Sequence, residues 1–278
     1  MIQKSYDNTA TLYLIATPIG NLEDITLRSI RILSEVDIIY CEDTRVTATL
    51  LNHLKIKKPL KSSHKFNEKD KKEEILKFLK ENKNIGLVSD RGTPIISDPG
   101  YEIVKYAIEN GYNVVSLPGA SAVLPALTSS GIVPQPFLFF GFLESKESIR
   151  KKQLLELVDQ TCTLIFYESP HRIEKTMKNM LEIFGNRNIS ISREISKKFE
   201  DVYRGTIEEY INNHLATKGE LVIVVEGSKA IQNDLSIEDN INVYIKQGFS
   251  SMDAIKKTAK ERNIPKKDVY NIYHKERG

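Results

Sequence analysis

The sequence predicts an α/β protein whose N-terminal half holds a largely parallel sheet. Two observations support this fold class: short apolar or β-branched runs alternate with segments of helical period, and loops rich in Gly, Pro and Asp follow the apolar runs. Parallel sheets bind ligands at the carboxyl ends of their strands, which is where these loops lie. The 278 residues suffice for about two domains with a core that needs no disulfide or metal.

Five strands are predicted in the N-terminal half, and the third has the weakest pattern. They are 12–17, 36–41, 59–63, 84–89 and 113–117. Apolar residues at helical spacing separate them. Two such sets are Leu27, Ile30 and Leu33, and Ile75, Phe78 and Leu79.

The GIVPQP segment at 131–136 interrupts this alternation, and a mixed α/β unit richer in strands follows. Its predicted strands are 137–143, 163–169, 189–194, 200–206 and 220–227, with helices near 146–158 and 172–184. A polar linker at 228–234 precedes two helical patterns, and Pro265 is well placed to open the second. We therefore expect one α/β domain at 10–133, a second at 134–227 and a small helical C-terminal region at 236–278.

Composition and motifs narrow the function classes. Forty Lys and Arg against 37 Asp and Glu leave a net charge of +3, so the total charge does not indicate a strongly cationic nucleic-acid binder. Cys41 and Cys162 are too few for a disulfide framework. No signal-peptide pattern, long apolar run, dinucleotide or phosphate-loop glycine motif, GxSxG elbow, or HExxH or CxxC metal signature occurs. We expect a cytoplasmic protein without a metal.

Four loops follow predicted strands at the same edge of the sheet. They are TPIGNLEDITLR (17–28), CEDTRVT (41–47), SDRGTPIISDPGY (89–101) and LPGASAV (117–123). Taken singly, the first is also typical of a plain turn, the second of a helix cap and the fourth of tight helix–strand packing. Because the carboxyl ends of parallel strands meet at one edge, the four together predict a ligand cleft.

Six ordered motifs between about residues 10 and 227 resemble those of the ribosomal RNA small subunit methyltransferase I family. These motifs are TPIGNLEDITLRSIRIL, CEDTR, SDRGTPIISDPGY, PGASA, FYESPHRI and VVEG. The family belongs to the tetrapyrrole-methylase-like superfamily, class III among S-adenosylmethionine-dependent methyltransferases. The resemblance implies a two-domain class III fold, here with a C-terminal helical tail, and a homodimer. It also implies methyl transfer from S-adenosylmethionine, bound between the domains, to the ribose 2′-hydroxyl of a cytidine in 16S rRNA of the 30S subunit.

Motif matching carries the donor-binding role of the family onto ten positions. They are Pro18, Gly20, Asp90, Thr93, Pro94, Ser121, Ala122, Tyr167, Glu168 and Gly227. For catalysis, a ribose hydroxyl needs alignment and a group that accepts its proton. The polar side chains expected at the mouth of the cleft are Glu42, Asp43, Arg45 and Asp98. We expect Arg45 to hold a phosphate while a carboxylate accepts the proton.

The sequence departs from the family pattern at two places. Arg91 stands where the family has a small residue, so we expect its side chain to point outward or to reach RNA. The run SHKFNE at 63–68 replaces a YHEHNE-like run, and although His64, Asn67 and Glu68 match, we assign it no catalytic role.

Three basic clusters are candidates for RNA contact: 148–152, 192–198 and the tail at 256–277. The tail is favoured because its basic residues are interleaved with Tyr270 and Tyr273. Two other functions stay open. One is a tetrapyrrole (precorrin-type) C-methyltransferase, and the other is a non-catalytic ribosome-associated binding protein. The EDTR and FYESPHRI runs and the basic tail favour the RNA methyltransferase.

Overall fold

A computed structural model of the chain describes residues 3, 5, 9–63, 68–213, 218–228, 235–246, 248–262 and 264–275. Its contacts divide the chain into two compact units, Met1–Ser228 and Lys229–Gly278. In the parts that the structure describes, the first unit contains two five-stranded sheets and the second is helical. None of the described helices combines the length and the apolar character needed to cross a bilayer.

The N-terminal sheet is parallel throughout, with strand order β3-β2-β4-β1-β5. Its strands are β1 Thr11–Ile15, β2 Ile38–Cys41, β3 Leu60–Ser62, β4 Ile85–Val88 and β5 Asn113–Ser116. Its helices are α1 Leu27–Glu35, α2 Thr44–His53, α3 Glu68–Lys80, α4 Tyr101–Glu109 and α5 Val123–Ser129. The predicted fold class is confirmed, and predicted strand ends differ from the observed ones by at most two residues.

Helices cover both faces of this sheet, which explains why its central strands read as continuous apolar runs. Successive side chains of a strand point to opposite faces. Thus Ile15 of β1 packs with Leu33 of α1 on one face. Leu12 of β1 packs with Leu79 of α3 and Ile103 of α4 on the other.

The second sheet is mixed, with strand order β6-β7-β10-β8-β9. Its strands are β6 Phe137–Phe142, β7 Thr163–Glu168, β8 Asn188–Arg193, β9 Asp201–Thr206 and β10 Leu221–Val225, and its helices are α6 Glu147–Leu157, α7 Ile173–Phe184 and α8 Ile207–Asn213. β6 and β7 run parallel, whereas β10 is antiparallel to both β7 and β8. Leu221 pairs with Glu168, so β10 begins at the edge where β7 ends.

The described residues of the C-terminal unit form three helices: α9 Ile237–Lys246, α10 Ser251–Glu261 and α11 Lys266–Lys275. They share a core that includes Ile241, Ile255 and Val269. The sequence predicts only the last two. The apolar spacing within α9 is helical, but its Asn and Val residues are weak helix formers, which obscures the signal. Most of the predicted linker, residues 229–234, lies outside the described residues.

Candidate active site

Hydrogen bonds join the loops that follow β1, β4 and β5. Thr17 and Gly92 exchange two backbone hydrogen bonds, of 3.0 and 2.9 Å. The hydroxyl of Thr17 donates to the carbonyl of Ser89 at 3.0 Å, and that of Thr93 donates to the carbonyl of Ala120 at 3.1 Å. The three loops therefore form one continuous edge, as expected for loops at the carboxyl ends of parallel strands.

Two glycines permit this close approach. Gly92 has a φ of +78°, which favours glycine, at the point where it pairs with Thr17. A Cβ on Gly119 would lie only 2.6 Å from the Cβ of Ala16. At Gly119 the PGASA turn therefore serves tight packing against the end of β1, one of the two roles that the sequence left open.

These loops, together with the end of β7 and the start of β10, line a cavity of about 350 Å³. This volume is in the range of small-molecule sites. Six predicted site residues line it: Thr93, Asp98, Ser121, Ala122, Tyr167 and Glu168. The lining also includes apolar side chains that the sequence did not single out, such as those of Ile19, Ile96 and Phe142. The lining therefore combines apolar surface with a few polar groups.

The other residues predicted in the N-terminal loops lie beside the cavity. Pro18 and Gly20 flank the lining residue Ile19, and Pro94 follows Thr93. A Cβ on Gly20 would lie 2.3 Å from Cγ of Lys197, so glycine is needed there for close packing. The carboxylate of Asp90 accepts a hydrogen bond from the backbone N–H of Asp43 at 3.0 Å, which joins the loops after β4 and β2.

Gly227 lies away from the cavity, and its predicted donor-binding role is corrected. The prediction assumed that the last strand ends at the cleft, but β10 is antiparallel to β7 and its start faces the cavity. A Cβ on Gly227 would lie 2.1 Å from the carbonyl oxygen of Thr161, so this glycine serves backbone packing at the far end of the sheet. The residues missed in consequence are 219–222. An apolar run carries no signal of strand direction.

The carboxylate of Glu168 is buried and is engaged within its own turn. Oε1 accepts a hydrogen bond from the backbone N–H of Ser169 at 2.8 Å and lies 3.3 Å from Nε of Arg172. Oε2 accepts a hydrogen bond from the hydroxyl of Thr176 at 2.6 Å. Glu168 therefore stabilises the turn between β7 and α7, and its side chain offers no unengaged oxygen to a ligand.

Tyr167 and Asp98 both line the cavity. The ring of Tyr167 packs edge-on against Phe139, with centroids 4.9 Å apart, and against Phe142 at 5.4 Å. Burial, followed by the nearby charge of Asp98, raises the pKa of the Tyr167 phenol. This phenol is therefore protonated at neutral pH.

The four predicted catalytic residues fall into two electrostatic groups. Burial, followed by the negative charges of Glu42 and Asp90, raises the pKa of Asp98 to about 6, against the opposing effect of a hydrogen bond from Ser89. Hydrogen bonds from the side chain and backbone of Arg45 lower the pKa of Asp43 to about 2. Asp98 lines the cavity, whereas Glu42, Asp43 and Arg45 lie on the neighbouring loop.

A chain of charged groups lies at the rim of the cavity. Arg91 forms an ion pair with Glu220, and both residues line the cavity while their side chains are more than half exposed. Nζ of Lys197 lies 2.9 Å from Oε2 of Glu220 and 2.8 Å from Oε1 of Glu194. Arg91 thus points partly outward, as expected, and also borders the ligand space.

In two of the three predicted basic clusters, two of the three basic side chains already have partners within the protein. In 148–152, Arg150 is 2% exposed and donates to Asn179 at 2.7 Å, while Lys151 pairs with Glu182 at 2.7 Å. In 192–198, Arg193 pairs with Asp201, and Lys197 pairs with the two acids at the rim. These contacts weaken the case for either cluster as an RNA-binding surface.

The tail has exposed basic residues, but only one of its two tyrosines is exposed. Tyr270 is 41% exposed, but Tyr273 is 2% exposed and packs in the core of the C-terminal unit, so it does not face a ligand. Residues 64–67 of the SHKFNE run and the tail residues 276–277 lie outside the described residues.

Within the described chain, no group of three or more His, Cys, Asp or Glu side chains is placed to hold a metal ion.

Comparisons with known proteins identify the family of the chain. The family model of tetrapyrrole (corrin/porphyrin) methylases matches residues 11–211. The chain is 48% identical to ribosomal RNA small subunit methyltransferase I of Bacillus subtilis (strain 168) over 95% of this chain and 94% of that protein. It is 46% identical to the protein of the same name from Halalkalibacterium halodurans over 99% of both chains.

The crystal structure of a cobalt precorrin-4 methyltransferase is similar with a TM-score of 0.57 and 18% identity, covering 78% of this chain and 94% of that one. This level of identity shows a shared fold alone, whereas the relatives named ribosomal RNA methyltransferases match almost end to end. The chain belongs to the tetrapyrrole methylase family and, within it, to the ribosomal RNA small subunit methyltransferase I family.

Proposed function

We propose that the protein is an S-adenosylmethionine-dependent methyltransferase that methylates the ribose 2′-hydroxyl of a cytidine in 16S rRNA of the small ribosomal subunit. The observation that carries the proposal is the cavity of about 350 Å³, because the loops that bear the family motifs build it around the half-buried carboxylate of Asp98. A precorrin-type methyltransferase is less well supported, since that likeness rests on the fold alone.

The cavity residues fit the methyl donor. S-adenosylmethionine supplies an electrophilic methyl group on a sulfonium. Ser121 and Ala122 are small enough for a ligand to approach the backbone, and a Cβ on Gly92 would reach within 3.3 Å of Ile19 Cγ2 and narrow the space. The apolar side chains of Ile96 and Leu221 offer surface for an adenosine ring. We propose that these residues, with Thr93 and Tyr167, hold the donor.

We propose that Asp98 accepts the hydroxyl proton. A general base works best when it is ionised at the working pH and is still as basic as possible, and a pKa of about 6 meets both conditions. Asp43 is far less basic because Arg45 holds its carboxylate. We assign Arg45, whose side chain is exposed, to an RNA phosphate and Glu42 to raising the pKa of Asp98.

We propose that the C-terminal unit contacts the RNA. Lys256, Lys260 and Lys266 line a shallow groove between α10 and α11. On α11, exposed side chains recur at the spacing i, i+3, i+4 and i+7, which places them on one face. These side chains are Lys267, Tyr270, Asn271 and His274. The rings of Tyr270 and His274 lie 4.3 Å apart, so the face combines positive charge with an aromatic surface on which a base can stack.

We further propose a cytoplasmic homodimer and the domain boundaries 10–133, 134–227 and 236–278. Each of the two sheets with its helices would form one of the first two domains. The exposed side chains of Phe137 and Phe142 on β6, an edge strand of the second sheet, support an interface there. Light scattering tests the dimer, with Phe137→Lys expected to yield monomers.

Methyl-labelled S-adenosylmethionine tests the proposed reaction. The protein is incubated with the donor and, in separate reactions, 30S subunits that lack the modification, naked 16S rRNA, or uroporphyrinogen. We expect label in RNA that nuclease digestion recovers as 2′-O-methylcytidine. Label in uroporphyrinogen alone would contradict the proposal. Donor binding without transfer to any acceptor would indicate a non-catalytic binding protein.

A further inference from the structure

Arg91 is the one cationic residue among those that line the cavity in the described part of the chain. It follows β4, and its guanidinium pairs with Glu220, which precedes β10. The two side chains are 56% and 60% exposed, so the pair lies where the cavity meets solvent. Water screens the charges of such exposed ion pairs, so the pairs are weak. A ligand carboxylate can therefore displace Glu220 from the guanidinium of Arg91 at a small energetic cost.

Glu220 keeps a counter-charge when Arg91 turns away. Nζ of Lys197 lies 2.9 Å from Oε2 of Glu220 and also pairs with Glu194. Lys197 packs against the backbone at Gly20 and is not a lining residue. The rim thus holds one cation that can change partner and a second that remains with the acids.

The remaining charged residues of the lining are acids, and they restrict where a ligand carboxylate can lie. Asp98 lies near enough to Tyr167 for its charge to act on the phenol, and both carboxylate oxygens of Glu168 are engaged within its turn. Negative charge placed near either of them is unfavourable, whereas the guanidinium of Arg91 presents two parallel donors that match a carboxylate.

We propose that Arg91 binds the α-carboxylate at the amino-acid end of the methyl donor, exchanging its pairing with Glu220, and so selects ligands that carry this group. The inference rests on the proposed function, and it assigns a donor-binding role to a side chain that the family motif does not supply.

Calorimetry with two ligands that share an adenosine thioether tests it. S-adenosylhomocysteine carries the amino-acid group, and 5′-methylthioadenosine lacks it. We expect Arg91→Ala to weaken binding of S-adenosylhomocysteine by about tenfold or more and to leave 5′-methylthioadenosine within about twofold. Arg91→Lys should fall between Arg91→Ala and the wild type, because it keeps the charge and loses the planar fork. Glu220→Gln should tighten binding of S-adenosylhomocysteine by removing the competitor.

Arg31→Ala serves as the matched control, because Arg31 is an exposed arginine on α1, paired with Glu35 and absent from the lining. Equal losses for both ligands in Arg91→Ala would mean that Arg91 only maintains the shape of the cavity. An unchanged affinity for S-adenosylhomocysteine, or weakening by Glu220→Gln, would also overturn the inference. If the wild type binds neither ligand, the proposed function fails and the inference fails with it. If the wild type binds both ligands and Arg91→Ala does not distinguish between them, only the inference about Arg91 is rejected and the proposed function stands.

Discussion

Arg45 holds the carboxylate of Asp43 through three side-chain hydrogen bonds: Nε to Oδ1 at 3.0 Å, Nε to Oδ2 at 3.2 Å and Nη2 to Oδ2 at 2.6 Å. Asp43 also caps the start of α2, because Oδ1 accepts a hydrogen bond from the backbone N–H of Arg45 at 2.8 Å. These bonds favour the ionised carboxylate and hold its pKa at about 2. Asp43 is therefore suited to capping and orientation, which leaves proton acceptance to Asp98.

Substitution of Asp43 separates these roles. Asparagine still caps a helix, so we expect Asp43→Asn to keep most of the turnover on 30S subunits. Alanine removes both the cap and the partner of Arg45, so Asp43→Ala should lower the melting temperature and raise KM for the RNA. Single-turnover methylation and thermal unfolding measure these effects. A loss of turnover in Asp43→Asn as large as that in Asp98→Asn would assign proton acceptance to Asp43.

The pH dependence of methylation tests Asp98 directly. Because a base must be ionised to accept a proton, the rate should rise with pH up to the pKa of about 6 and level off above it. Asp98→Asn should slow the reaction by roughly 10²–10⁴-fold and abolish this rise. Donor affinity, measured by calorimetry, should change little. An unchanged pH profile in Asp98→Asn would show that another group controls the rate.

Asp98 should also destabilise the folded protein at neutral pH. An ordinary Asp has a pKa of about 3.9, so between that pH and about 6 the folded chain retains a proton that the unfolded chain has lost. Stability therefore falls as pH rises through this window, and the penalty remains above it. We expect Asp98→Asn to gain about 1 kcal/mol near neutral pH, a figure reduced for solvent screening. The gain measured by urea unfolding should disappear as the pH falls below about 4 and both states become protonated.

How far the sequence predicts this molecule depends on the feature. The strands of the N-terminal sheet are predictable because apolar runs such as 84–89 are buried on both faces, and parallel pairing then places the following loops together. The direction of β10 is not predictable, because its residues LVIVV would be equally apolar in either direction. For this reason Gly227 is misplaced and Glu220 is missed.

The ionisation of a side chain likewise cannot be predicted from its residue type alone. Asp43 and Asp98 are the same residue in similar loops, yet the pKa is about 2 for the first and about 6 for the second. The difference depends on which side chain meets Arg45 and which is buried near Glu42. Both are properties of the fold.

Substitution of Glu168 should change the stability of the fold more than it changes donor binding. Glu168→Ala leaves the buried hydroxyl of Thr176 and the guanidinium of Arg172 without their acidic partner. We expect a loss of about 3 kcal/mol in the free energy of unfolding, measured with urea. Glu168→Gln should lose less, because its carbonyl oxygen still accepts one hydrogen bond. If Glu168→Ala kept full stability and lost only donor binding, the carboxylate would have to contact the ligand.

The basic groove and face of the C-terminal unit should govern affinity for RNA. We expect simultaneous replacement of Lys260, Lys266 and Lys267 by Gln to raise KM for 30S subunits by roughly tenfold and to flatten its dependence on salt. Binding of the donor should stay unchanged. The matched control replaces Lys57, Lys77 and Lys80, which are also exposed and lie in the first unit. An equal effect in both triple variants would reduce the proposed surface to general charge.

The paired backbone hydrogen bonds between Thr17 and Gly92 have a consequence for how a ligand is received. They make the loops after β1 and β4 an extension of the sheet, so the conformational entropy of ordering these loops is lost when the chain folds. A ligand meets a preorganised surface and loses little affinity to induced order. The two loops also move together. A distortion that breaks the hydrogen bonds between Thr17 and Gly92 displaces both Ile19 and Thr93, which line the same cavity.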